Sequence, residues 1–233
     1  MFFPFYFDYR YLLFSLPALL LALLAQWKVQ SAYRKYSRIR NMRNLSGAEA
    51  AQTLLRSNGL SHVEIQAARG VMSDHYDPSK KVLHLSPDVA RNPSVAALGI
   101  VAHEVGHALQ DQADYMPLRV RSGLVPMVNL GTWLGMILFF VGLVIEFSGL
   151  VWVGVVFFSG SVVFALVTVP VERDASRRAL QILKADGLVG TTDIQGIQSV
   201  LSAAALTYVA ALAQALSQLL YFVMLATGMS RRD

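Results

Sequence analysis

VAHEVGHALQ, residues 101–110, places His103, Glu104 and His107 in the order His-Glu-x-x-His. On a helix, residues i and i+4 lie one above the other, so both imidazoles can reach one metal ion. Glu104 then projects beside the pair, where a carboxylate can take a proton from water. A shuffled chain of this composition would carry the pattern with a probability of roughly 0.002. Two imidazoles do not close a zinc site. The third ligand has to come from elsewhere, and its source decides how the chain folds.

The apolar run before the motif, Val95–Ala102, is bounded by Arg91-Asn92-Pro93 and Gln110-Asp111. It is too short to cross a bilayer, so the motif belongs to a partly buried helix at or near a membrane surface. Other runs are long enough. Tyr11–Trp27 is apolar and uncharged, and the positive charge follows it rather than preceding it, which argues for a retained anchor over a cleaved signal. Leu124–Ile145 and Leu150–Val169 are separated only by Glu146-Phe-Ser-Gly149 and predict a hairpin through the bilayer, while Ala203–Thr227 could also span.

Composition agrees. Hydrophobic residues make up 55% of the 233, charged residues 15%, and mean hydropathy is +0.46, all displaced towards membrane proteins. With no cysteine, thiol catalysis and cysteine-zinc knuckles are excluded. The net charge of +5 is concentrated between Lys28 and Arg43, where six basic residues meet no acid. That is a juxtamembrane basic collar with its charge on the cytoplasmic side, without the interleaved aromatic platform of a nucleic-acid surface. Nucleic acid is not an expected partner.

The expected fold is a mainly α membrane protein with about four transmembrane helices and a small α+β zinc-protease unit. The expected divisions are an anchor (1–27), a cytoplasmic α+β unit (28–123), a transmembrane hairpin (124–169), a third-ligand helix (170–190) and a C-terminal helix through the membrane (191–233). Within the second of these, Ser46 and Glu49 form a capping box, VEIQA (63–67) and KVLHL (81–85) predict strands, and Asn92-Pro93 predicts the cap of the motif helix. An exposed edge of KVLHL would suit a substrate peptide added as a strand.

Elimination narrows the third ligand. The longer pattern HExxHxxGxxH fails, because positions 110 and 113 are Gln and Ala. Glu49 is used in capping, Glu64 lies on a strand, and Glu146 falls across the membrane. The hairpin returns Glu172 to the face that carries His103 and His107. Asp111 and Asp174 are its chief rivals, with His62, His75 and His84 upstream. His75, between Asp74 and Asp77, could contact metal or substrate; Asp174 could orient a ligand; Tyr208 could donate to a developing oxyanion.

At these residues a family resemblance is close. SGAEAAQTLL, SDHYDPSKKVLHLSPDV, AHEVGHALQ, PVERDASRRAL and AAALTYVAAL resemble the YugP-type family of bacterial membrane neutral zinc metallopeptidases. The order of HExxH, two membrane helices and a ligand-bearing glutamate also resembles the HtpX type of membrane protease. In that pattern an aspartate follows four residues after the glutamate, whereas this chain has Ser176 there and an aspartate at 174. The resemblance implies one zinc ion with His103 and His107 as ligands, Glu104 as the catalytic base, and a multi-pass protein.

The expected function is therefore zinc-dependent endopeptidase action on protein or peptide substrates, membrane proteins among them. The expected location is the bacterial inner membrane, with the active site facing the cytoplasm. A non-catalytic, zinc-containing membrane adaptor is the alternative. The intact Glu104 weighs against it, because a purely structural zinc site needs no base and usually closes with a fourth ligand.

Overall fold

The computed structural model describes residues 9–70 and 72–230; the first eight residues of the expected anchor lie outside them. In chain order the elements are α1 (Tyr9–Tyr36), α2 (Gly47–Ser57), β1 (Glu64–Ala67), β2 (His75–Asp77), β3 (Val82–Leu85), α3 (Pro87–Arg91), α4 (Val95–Gln112), α5 (Met116–Val144), α6 (Ser148–Ala185) and α7 (Thr191–Ser230). The protein is mainly helical with one small sheet. Among the described residues α1, α5, α6 and α7 are long and apolar enough to cross a membrane. The motif helix α4 is not among them.

The chain forms two compact units. One comprises the described residues up to Leu24, Val120–Thr168 and the described residues from Thr207. Its core gathers Phe139, Val151, Val155, Phe158 and Phe222, with the Phe139 and Phe222 rings stacked 3.9 Å apart. Lipid is as apolar as these side chains, so close packing through small residues takes over the role that water exclusion has elsewhere. A Cβ on Gly154 of α6 would stand 2.6 Å from the backbone nitrogen of Phe139 on α5, so only glycine fits that seam. Large apolar side chains such as Met127, Leu130, Trp133 and Val156 point outward, as lipid-facing residues do.

The second unit comprises Ala25–Arg119 and Val169–Leu206. Here α2 begins with the expected capping box: the Ser46 hydroxyl accepts from the Glu49 amide, and the Glu49 carboxylate accepts from the Ser46 amide. Three buried layers, from α2, β3 and α4, supply Leu54, Leu83, Leu85, Leu98 and Val101 to a single core. Helix α4 is buried on almost every side, the behaviour of a central helix rather than an amphipathic one. It starts one residue pair later than the sequence predicts. Ser94, not Asn92-Pro93, is the cap, because its side chain accepts from the Ala97 amide while the backbone of Pro93 and Ser94 is drawn into bonds with Asn41 and Arg40.

Two further expectations are corrected. KVLHL is not an edge: the strand order is β1-β3-β2, with β3 parallel to β1 and antiparallel to β2. The edge on the α4 side is β2, three residues long and hidden in the sequence by the Asp77-Pro78 turn that follows it. Second, no new helix begins after Val169. Helix α6 runs on through Pro170, giving up the one backbone bond that the missing proline N–H would make.

Candidate metal centre

Helices α4 and α6 meet at Gly106. A Cβ there would lie 2.5 Å from the carbonyl oxygen of Ala175, so the missing side chain lets the two backbones touch. Glu172 sits one turn before Ala175 and is thereby carried to the face of α4 that presents His103 and His107. Its Oε2 lies 3.1 Å from His103 Nε2 and 3.5 Å from His107 Nε2. The two imidazole rings stand 4.8 Å apart at 82°.

This donor set fits zinc. Ligands 2.0–2.2 Å from a tetrahedral ion stand about 3.3 Å from one another, between the two distances observed. All three donor atoms lie within 4.8 Å of each other, with His107 and Glu172 buried and His103 half-buried. Two imidazole nitrogens and a carboxylate oxygen converging at a largely buried point are the donor types that zinc takes.

The back of the site fixes the protonation of His107. Gln110 is completely buried, and its Oε1 lies 2.9 Å from His107 Nδ1. Its Nε2 donates to the Val171 carbonyl at 2.8 Å and to Asp174 Oδ2 at 2.9 Å. Both of those partners only accept, so the amide cannot be flipped, and its oxygen must face the ring. His107 therefore carries its proton on Nδ1 and turns a lone pair on Nε2 towards Glu172. His103 is held more loosely: its Nδ1 lies 3.2 Å from Ser176 Oγ, a hydroxyl that can serve either tautomer.

Glu104 lies beside these three donors. Its Oε2 accepts the Tyr76 amide of β2 at 3.1 Å, so the edge strand holds the carboxylate in place. Burial pushes the Glu104 carboxyl above the ordinary carboxylate range, against the pull of His103 and His107. A carboxylate shifted in that direction is a stronger base near neutral pH. His107 is also raised: burial is the largest single influence and opposes its charge, but Glu172, Glu104 and Gln110 together outweigh it.

The remaining sequence candidates are placed elsewhere. Asp111 accepts from the Tyr76 hydroxyl at 2.6 Å and pairs with Lys81, a clasp that ties the edge strand to α4. Asp174 pairs with Arg177 and Arg178 and reaches His107 only through Gln110. His75 is exposed and stacks on His84, with ring centroids 4.6 Å apart. His62 is exposed as well, and Tyr208 is half-buried on α7, in the other unit. The residue that sequence reasoning missed is Gln110. It lies three positions after His107 on the same helix face, and an uncharged amide at that spacing was the available signal.

A helical membrane protein with this donor set has the build of a membrane metallopeptidase. The profile of the family described as "Putative neutral zinc metallopeptidase" matches residues 11–227, and the chain belongs to that family. It is similar to the "Putative membrane protease YugP" of Bacillus subtilis (strain 168), with 41% identity over 215 residues, 92% of this chain and 96% of the relative. No solved structure matches the chain.

Proposed function

We propose that the protein is a membrane-embedded endopeptidase that cleaves protein or peptide substrates at one zinc ion held by His103, His107 and Glu172. The observation that carries this reading is the convergence of those three donors with Glu104 beside them. When bound, zinc supplies Lewis acidity, which polarises the scissile carbonyl and makes water easier to deprotonate. Glu104 accepts the proton of the attacking water and passes it to the leaving amide nitrogen. The β2 edge, tied to Glu104 through the Tyr76 amide, offers backbone groups along which an extended substrate can lie. Gln110 holds the His107 lone pair on the ligand side, and Asp174 holds Gln110.

The basic collar and the uncharged-to-acidic loop at 146–149 support a catalytic side in the cytoplasm of a bacterial cell. With no native cysteine, Gln52→Cys and Ser148→Cys can be probed in intact cells with an impermeant thiol reagent. Labelling is expected at 148 alone; labelling at 52 alone reverses the orientation.

Metal content and peptide turnover, measured on the same purified variants, test the chemistry. Glu104→Gln should keep near-stoichiometric zinc and lose about two to four orders of magnitude in turnover. Glu172→Ala should lose the metal itself. A Glu172→Ala protein that retains zinc removes the third ligand, and an active Glu104→Gln protein removes the base.

A further inference from the structure

Behind His103, on the side of Ser176, α6 and α7 enclose a cavity of about 580 Å³. Arg173, Arg177 and Leu180 line it from α6, and Leu201 and Ser202 line it from α7. Ser176 is shared between this cavity and the Nδ1 of His103. Arg177 is paired with Asp174, whereas Arg173 is exposed and has no ion-pair partner among the described residues. Val169, one turn before Arg173, ends the long apolar stretch of α6 that starts at Leu150.

We infer that this cavity is a binding site for the phosphate headgroup of an anionic phospholipid. Charge selects the ligand class: an open groove lined by both apolar and polar side chains, with a guanidinium that has no ion-pair partner among the described residues, suits a phosphodiester, which an arginine can grip with two parallel hydrogen bonds. Position selects the source. Arg173 stands one turn beyond the end of the apolar stretch of α6, which sets it at headgroup level if that stretch spans the bilayer, with the acyl chains along the apolar part of the same helix. A substrate peptide fits this place poorly. The cavity lies on the Nδ1 side of His103, while Glu172 and the Nε2 atoms face the other way, so a chain held here could not bring a carbonyl to Glu104. Because Ser176 is common to both, an occupied cavity borders directly on the support of one imidazole.

Lys184 makes the inference testable. It lines the same groove and also has no ion-pair partner among the described residues. It stands eleven residues along α6 from Arg173, about 16 Å farther from the membrane end at 1.5 Å per residue. A lipid headgroup reaches Arg173 and not Lys184; a soluble polyanion or an acidic peptide would use both.

The full-length protein in neutral detergent, titrated with phosphatidylglycerol or phosphatidylcholine and read by native mass spectrometry, gives the occupancy of each lipid. Wild type should take up one phosphatidylglycerol in preference to phosphatidylcholine. Arg173→Gln should weaken that binding about fivefold, Arg173→Lys, which keeps the charge and loses the fork, should fall between wild type and Arg173→Gln, and Lys184→Gln should change it less than about twofold. Inorganic phosphate should not displace the lipid. Equal binding of the two lipids, or unchanged binding by Arg173→Gln, overturns the site. Equal losses from Arg173→Gln and Lys184→Gln, with release by inorganic phosphate or by an acidic peptide, replace the lipid with a soluble anion. Zinc content is expected to be the same in all of these proteins.

Discussion

Helix α6 makes two glycine contacts that are alike in geometry and different in consequence. In the membrane unit a Cβ on its Gly154 would stand 2.6 Å from the Phe139 nitrogen, and in the other unit a Cβ on Gly106 of α4 would stand 2.5 Å from the Ala175 carbonyl. Around the first are Phe139, Val155 and Phe158, all apolar. Around the second are Glu104, His107, Gln110, Glu172 and Asp174, all buried and all polar. A close backbone approach in lipid packs a seam. The same approach beside α4 sets the distance between the groups proposed to share one ion, where a shift of a few tenths of an ångström would change the chemistry.

Among changes that leave every donor in place, the largest effect should come from adding a single methyl group at one of these contacts and not the other. Overpacking of this kind typically costs about 1–3 kcal/mol, so Gly106→Ala and Gly154→Ala should both lower the thermal unfolding temperature in detergent. Their zinc affinities should part company. Gly106→Ala moves α4 away from α6 and should weaken zinc by more than the roughly 100-fold that marks the upper range for outer hydrogen-bond partners. Gly154→Ala, with no shared partners, should leave the zinc Kd within about twofold. Chelator competition on the two variants decides the matter. Equal zinc affinity in Gly106→Ala and wild type would erase the distinction between the contacts.

How much of this was legible beforehand follows from the range of the interactions. His103, Glu104 and His107 lie within five residues of one another, and helical spacing alone brings them to one place. Glu172 lies 69 positions beyond His103, yet the parity of the hairpin between them was enough to return it to the same side. The Ser46–Glu49 capping box was readable because it is local. Gln110 was not: in the sequence it only stands where the longer HExxHxxGxxH pattern has glycine, and its role appears once the Val171 carbonyl and the Asp174 carboxylate arrive from another helix. Strand β2 was missed because three residues are too few for alternation to show, and with it went the true edge of the sheet.

Gln110 gives the next effect in size and sharpens the comparison from inside the polar contact. Gln110→Met nearly preserves volume while removing the bond to His107 Nδ1, so the imidazole is free to take the other tautomer and present N–H to the metal. Zinc affinity should fall about 10- to 100-fold, the usual consequence of losing such a partner. Removing the amide also takes one hydrogen-bond donor from the Val171 carbonyl and one from the Asp174 carboxylate, each of which keeps other partners in or beside α6, a separate cost of about 0.5–1.5 kcal/mol per bond to the metal-free fold. Measuring the unfolding of the metal-free protein alongside zinc affinity separates the two. A variant that loses stability but binds zinc as well as wild type would make Gln110 a packing residue and no more.

Ser176 should give the smallest effect, and the reason lies in the difference between the two imidazoles. Gln110 can offer His107 only an acceptor, because its donors are held elsewhere; the Ser176 hydroxyl rotates and offers His103 either role. A partner that enforces no tautomer contributes little when removed, so Ser176→Ala should weaken zinc by about tenfold or less. Ser176→Asp places a carboxylate at the same position, four residues after Glu172, where it can only accept while ionised. It should fix the Nδ1 proton of His103, make Nε2 the better donor to metal, and bind zinc at least as tightly as wild type. Zinc Kd values for the two variants, set beside Gln110→Met, give a ranking. If Ser176→Ala costs more than Gln110→Met, His103 rather than His107 is the tightly governed ligand, and the buried amide is not what holds the site in order.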